Sequence, residues 1–287
     1  MKHTKVLVSR VEGRVGTGDW EGFDVPLELI REAAADWRSA LGGIERPWLC
    51  WNVNSSWCLL QQKLIREVGW TPVVGFDPRV GPPETVPGAV LLDFNARLQL
   101  PMMWMHFPLE FVFLFAPRLA FWHSDLLVRM DKLRDLAGRF AGLREGETAA
   151  VLDRGGRRNF WNFKTHKYYE LVGCTTRGAS ESQFRHGAGW WRHIECHPNC
   201  PSEKERQQRS TYYWEHGLGL MYWKKNYGGT VHAIDWKYVE EGHCTSMNYR
   251  GYKRLSGPEM YGALGDELDE NYALHEVVRK LGLDRLL

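Results

Sequence analysis

Trp48-Leu-Cys-Trp-Asn-Val-Asn54 and Thr71-Pro-Val-Val-Gly-Phe-Asp77 are two apolar runs of strand length, and the segment between them decides the fold. Ser55-Ser56 is a plausible cap for a helix running to about Val68, and Gly69 closes that helix. Residues Trp48 to Asp77 therefore read as a strand-helix-strand unit of about 30 residues, the size of a right-handed crossover between parallel strands. The expectation is an α/β protein with a mainly parallel sheet.

Upstream, Lys5 to Arg10 reads as a first strand, followed by a Gly-rich, acidic stretch from Glu12 to Asp24. An amphipathic helix from about Pro26 to Leu41 comes next, with Leu27, Ile30, Ala34 and Trp37 at helical spacing and Gly42-Gly43 ending it. Downstream come a Pro/Gly loop from Pro78 to Pro87, a buried strand from Ala89 to Phe94, and a short helix within Pro101 to Phe115 broken at Pro108. Arg118 to Trp122 is a strand, Leu126 to Leu143 a helix, and Thr148 to Asp153 a strand ending in the basic turn Arg154 to Arg158. The second half is rich in Tyr, Trp, His and Gly and only weakly periodic. It yields a helix near Tyr212 to Lys225, a strand near Thr230 to Val239 and a C-terminal helix from about Ser256 to Leu283.

Lys+Arg at 37 against Asp+Glu at 35 gives a formal charge of +2, which supplies no broad field for a polyanion and argues against nucleic acid as the partner. The start of the chain lacks the apolar core and cleavage site of a secretory signal, so a cytoplasmic protein is expected. Leu98 to Trp122, the most apolar stretch, is interrupted by Pro101, His106, Pro108, Glu110, Pro117 and Arg118, and reads as buried core rather than a membrane span. Six cysteines in this setting point to reduced thiols or metal ligands. Fourteen Trp exceed what core filling requires, so they serve either as stacking platforms or as unusually wide aromatic packing.

In parallel α/β sheets ligand groups gather beyond the carboxyl ends of the strands. Asn52, Asn54, Asp77, Asp93, His123 and Asp125 all fall at such ends, and their recurrence points to a site, although Asn and Asp also form turns there. Phe121-Trp-His-Ser-Asp125 delivers a polar triplet from a buried strand. Asp125 is the candidate ligand for Mg²⁺ or Mn²⁺ bound to a diphosphate, the alternative being that Ser124 or Asp125 caps the following helix. His243 stands after a turn at Gly242 and is a candidate second metal ligand. Glu215, between Trp214 and near-apolar neighbours, is a candidate general base, or else a helix-starting acid complementing the dipole. Gly187 and Gly189, beside Arg185, His186, Trp190 and Trp191, form a candidate ligand-binding loop. His193, Cys196, His197 and Cys200 offer four zinc-type donors within eight residues, a dense spacing for one tetrahedral ion. The basic-aromatic stretch from Arg154 to Tyr169 suits a phosphorylated acceptor or a single strand of nucleic acid, or is a solvated loop.

Taken in order, from about Trp48 to Ser246, these pieces resemble the GT-A class of nucleotide-sugar glycosyltransferases. The resemblance implies a Rossmann-like mixed, mainly parallel sheet flanked by helices: one catalytic domain over residues 1–255, its nucleotide part at about 1–153 and its acceptor part at 154–255, then a helical segment over 256–287. His123-Ser124-Asp125 is similar to that class's Asp-x-Asp motif, with only the last aspartate matching, and His243 is similar to its late metal-binding histidine. Asp77 falls where an acid contacts the base or ribose, Gly187-Ala-Gly189 resembles the glycine-rich loop, and Glu215 stands where the class has its catalytic acid. The implied donor is a nucleotide-sugar and the acceptor a saccharide or other hydroxyl, with Mn²⁺ or Mg²⁺ as cofactor. Two other readings of the same residues are a zinc-containing nucleic-acid-binding protein and a metal-dependent hydrolase on an α/β scaffold.

Overall fold

A computed structural model describes residues 3–9, 20–76, 81–100, 103, 105–152, 168–190, 197–199, 218–243 and 274–287. The first strand is joined by a second that its glycine-rich sequel hides: β1 (His3–Ser9) and β2 (Trp20–Pro26) make an antiparallel hairpin. Pro26, whose fixed φ suits a helix start, leads directly into α1 (Leu27–Ala40), which buries Leu27, Ile30, Ala33, Ala34 and Trp37.

The expected crossover is present as β3 (Pro47–Asn52), α2 (Ser55–Glu67) and β4 (Thr71–Phe76), with Trp48 opposite Pro72 and Asn52 opposite Phe76 in a parallel ladder. Its cap is Asn54 rather than the serines. Asn54 is extended, and its Oδ1 accepts from the Trp57 N–H at 3.0 Å, so the helix is closed one residue earlier than Ser55.

Beyond lie the short edge strand β5 (Val90–Leu91), then α3 (His106–Glu110) and α4 (Val112–Phe115). The helical break falls at Phe111, not at Pro108; Pro108 sits in the first turn of α3, where a missing N–H costs no intrahelical bond. Next are β6 (Arg118–Trp122), α5 (Met130–Ala141), β7 (Glu147–Leu152), β8 (Tyr168–Thr176), α6 (Arg177–Arg185), α7 (Leu218–Tyr227), β9 (Thr230–Ile234) and α8 (Leu274–Leu281). β9 stops five residues short of the expected Val239, because Asp235 accepts from the Lys237 N–H and turns the chain into a 3-10 helix over Trp236–Tyr238.

Among the described residues seven strands form one mixed sheet in the order β5-β4-β3-β6-β8-β7-β9, in which only β8 runs antiparallel. The protein is thus α/β with a mostly parallel sheet flanked by helices. β8 and β9, from beyond residue 153, lie in the same sheet as the earlier strands. Alternate strand residues enter two cores. Leu49, Trp51, Val73, Leu119 and Phe121 meet α1, α3, α4, α6 and α7 on one face, while Trp48, Cys50, Val74, Ala120 and Trp122 meet α2, α5 and α8 on the other. Among the described residues no helix is long and apolar enough to cross a membrane.

Eight tryptophans, at 37, 48, 51, 57, 70, 122, 190 and 223, are buried, so much of the surplus is wide aromatic packing. Trp48 alone has ring contacts with Trp70, Trp122 and Phe140 at 5.3–5.4 Å between centroids.

Among the described residues three cysteines, Cys50, Cys58 and Cys174, are free and buried. Burial pushes the Cys58 and Cys174 thiols up to about 12, and burial together with the neighbouring Cys58 raises Cys50 well above its usual range. Native protein treated with iodoacetamide at pH 8 should yield unmodified peptides for all three, with complete labelling after denaturation. Rapid native labelling of Cys174 would show that this face of the sheet opens.

Candidate metal centre

The sheet's strand order reverses between β3 and β6. The chain leaves β3 for β4 and β5 on one side and later returns to lay β6 on the other. In open α/β sheets the crevice outside the carboxyl ends at such a switch point is where ligands bind. Asn52 and Asn54 stand at the end of β3, and His123 and Asp125 just past the end of β6, so four of the sequence candidates meet there by topology.

The segment after β6 does not form the expected helix at once. α5 begins at Met130, its N-terminal flank is Arg129 with no side-chain cap, and neither Ser124 nor Asp125 caps it. Residues 123–127 are held otherwise. The His123 N–H is donated to the Leu171 carbonyl at 2.8 Å, continuing the ladder with β8. Gln61 of α2 donates its Nε2 to the carbonyls of His123 and Leu126, each at 2.8 Å. Leu126 forms an antiparallel bridge with His243, and the Leu127 N–H reaches the Gly242 carbonyl at 3.1 Å. Of these groups the Leu126 carbonyl is one that a helix starting at Leu126 would have claimed for its own ladder.

The bridge brings the late histidine to the early acid. Asp125 Oδ1 is hydrogen-bonded to His123 Nδ1 and lies 3.4 Å from His243 Nε2, and the two imidazole rings are 6.0 Å apart and nearly perpendicular. One donor atom from each of His123, Asp125 and His243 lies within 4.8 Å of the others. Burial works against charge on both partners of the close pair, yet the Asp125 carboxylate by charge and hydrogen bond, with Glu170 adding, raises His123 to about 9. His123 and then His243 hold the Asp125 carboxyl well below its usual range. The site is therefore an acid held ionised between two imidazoles, an arrangement in which a cation can take the place of a proton.

Two nitrogens and one oxygen are a borderline donor set. Mg²⁺ strongly prefers an all-oxygen shell, whereas Mn²⁺, Fe²⁺, Co²⁺ and Zn²⁺ accept imidazole. Donors about 2.1 Å from a common tetrahedral ion stand about 3.4 Å apart, which is the separation of Asp125 Oδ1 from His243 Nε2, while the hydrogen-bonded pair of His123 and Asp125 lies closer and would part to admit an ion.

The remaining sequence candidates have separate fates. Asn52 is buried, and its Oδ1 has no hydrogen-bond partner among the described residues. Asn54 spends its Oδ1 on the α2 cap. Asp93 is exposed and accepts from the Asn95 N–H at 2.8 Å, a turn role. Gly187, with φ +58°, ends α6 through its N–H to the Phe184 carbonyl, the usual task of a glycine after a helix. Gly189 is closely packed: a Cβ there would lie 2.9 Å from Glu110 Oε2. Their glycine character is thus accounted for by capping and packing. Asp77 and Glu215 lie outside the described residues, as do His193, Cys196 and Cys200.

His197 is described and carries a finding that spacing did not suggest. Its Nδ1 accepts from the Asn199 N–H at 3.1 Å, which leaves the proton on Nε2, and that is donated to the buried carboxylate of Glu110 at 3.0 Å. Both ring nitrogens are engaged, so His197 offers no lone pair to a zinc ion in this arrangement. Glu110 also accepts from the Trp190 N–H at 3.1 Å and so fastens the glycine turn to α3.

Sequence reasoning missed Gln61 and Glu170. Gln61-Gln62 is a polar pair on the buried face of an otherwise apolar helix, which is the signal that could have marked it. No family model, curated protein or solved structure matches the chain.

Proposed function

We infer that the chain is a divalent-metal-dependent glycosyltransferase of the GT-A type, moving a sugar from a nucleoside-diphosphate donor to an acceptor hydroxyl. The observation that carries this reading is the convergence of His123, Asp125 and His243 at the switch point of a mostly parallel sheet, where a diphosphate and its cation would lie. His123, Asp125 and His243 hold the ion, and of the two cofactors expected, Mn²⁺ suits their nitrogen-rich set better than Mg²⁺. The bound ion would neutralise charge on the departing diphosphate. Asn52, at the end of β3, the strand next to β6, offers a buried acceptor atom to the donor, as a nucleotide-contacting residue needs. Asp77 at the base or ribose belongs to the same reading, as does a carboxylate base, for which Glu215 is the candidate that the sequence offers.

A second reading comes from the donor set itself. Two imidazoles and a carboxylate would serve a metal-dependent hydrolase equally well. Release of sugar or phosphate that is not accelerated by any added hydroxyl acceptor would favour it.

The test is a melting series with UDP, GDP, CDP and ADP, each with Mn²⁺, Mg²⁺ or EDTA. At about 100 times the dissociation constant, one nucleotide with Mn²⁺ should stabilise the protein by roughly 2.7 kcal/mol, a rise of about 5 °C or more, and EDTA should cancel it. Folded protein that answers to none of the four would sink the transferase reading.

A further inference from the structure

One carboxylate at the site remains without a role. Glu170 lies in β8 where that strand parts from β7: Val151 pairs with Tyr169 but the next pair is Ala150 with Gly173, so Glu170, Leu171 and Val172 are carried out of that ladder. On the other side the ladder to β6 persists, through Trp122 with Val172 and through the His123 N–H on the Leu171 carbonyl. Bulges of this kind re-aim side chains and gather beside active sites. Here the bulge sets the Glu170 carboxylate 4.0 Å from His106 Nε2, on the residue beside Leu171, whose carbonyl takes the His123 N–H.

Asp125 and Glu170 differ in access. The Asp125 side chain is 2% exposed, enclosed by its imidazoles, whereas that of Glu170 is 15% exposed. An acid that must meet a substrate hydroxyl needs such a route, and one that only holds an ion does not.

We propose that Glu170 is the catalytic base of the transfer, the carboxylate that takes the proton from the acceptor hydroxyl. This rests on the transferase reading. The acceptor oxygen bonds to the anomeric carbon, and the bond from that carbon to the donor phosphate oxygen breaks, its electron pair leaving on the nucleoside diphosphate. The hydroxyl proton passes to a Glu170 carboxylate oxygen. Nothing else is consumed, and a single displacement of this kind inverts the anomeric centre.

The experiment uses the full chain with water as acceptor, so that no acceptor need be known. Wild type, E170Q, E170A and E215Q are incubated with UDP-glucose, UDP-N-acetylglucosamine, GDP-mannose, ADP-glucose and CDP-glucose at Mn²⁺ saturating for each variant by calorimetry. Free sugar and its initial anomer are read by proton NMR. The expected result is turnover of at least one donor with inversion, a loss of about 100-fold or more in E170Q, and partial recovery of E170A by sodium formate, a small carboxylate able to enter the space left by the side chain. Wild type inert toward every donor would overturn the transferase reading and this assignment with it. Turnover by wild type with E170Q within threefold of it would overturn Glu170 alone, as would retention of configuration, loss without formate recovery, or a loss confined to E215Q. Failure of E170Q to bind Mn²⁺ at all would make Glu170 a support of the metal centre instead.

Discussion

Asp125→Ala is expected to lower affinity for Mn²⁺ or Co²⁺ by more than about 100-fold, since even the outer partners of metal ligands are worth roughly 10- to 100-fold. Asp125 supplies the only oxygen of the three donors and the only negative charge, and both imidazoles are oriented by contact with it. Asp125→Asn should fail nearly as badly, because a neutral amide oxygen neither compensates the ion nor orders two basic rings. Neither variant should unfold the protein: the carboxylate is what favours the proton on His123, so that ring turns neutral when the acid is gone and leaves no stranded charge in the interior. Calorimetric titration with Mn²⁺, beside circular dichroism of each variant, makes the measurement. Wild-type affinity in folded Asp125→Ala would remove this acid from any metal centre and with it the observation on which the functional reading stands.

Gly242→Ala is expected to damage stability and site together. A Cβ at Gly242 would fall 1.9 Å from the Leu127 carbonyl oxygen and 2.9 Å from Leu281 Cδ1. The first obstacle is backbone, engaged in the pairing that joins residues 126–127 to 242–243, and cannot swing aside as a side-chain tip could. Overpacking of this kind costs about 3 kcal/mol or more, a fall in melting temperature of roughly 6 °C or more for a chain of this size. His243 is the next residue, so the shift that relieves the clash carries a candidate ligand away from Asp125. Melting and Mn²⁺ titration should therefore change in step. A variant that melts like wild type and binds Mn²⁺ normally would mean that another contact places His243.

How much of this was legible depended on how local each signal was. The crossover from Trp48 to Asp77 was readable because two apolar runs and one helix lie within a span whose connection has few geometries. β8, the antiparallel strand, and α6 were not, because Tyr168 to Arg185 has neither clean alternation nor a sustained helical stripe, and pairing on both sides with β6 and β7 imposes its conformation. Helix starts at Leu126 and strand ends at Val239 failed for one shared reason: those residues satisfy their backbone groups across the molecule or in a 3-10 turn rather than along the predicted element. Within the site, Asp125 and His243 were legible as residue types beside strand ends and turns. His123 was read only as a departure from a two-aspartate motif, and the structure sets its ring against Asp125 as a donor in its own right. Gln61 and Glu170 act through a buried helix face and a bulge, and neither is marked by a spacing.

The tryptophans that fill the core give the molecule an optical property. Trp122 immediately precedes His123, and its ring centroid is 5.4 Å from that of Trp48, which in turn is 5.4 Å from Trp70. Three indoles held at that separation in fixed orientations are coupled chromophores, so their near-ultraviolet dichroism reports the native packing of one face of the sheet. A paramagnetic ion seated one residue away would drain the emission of Trp122 and, through it, of its neighbours. Binding of such an ion by the proposed centre should thus be readable in the intrinsic fluorescence, without a label.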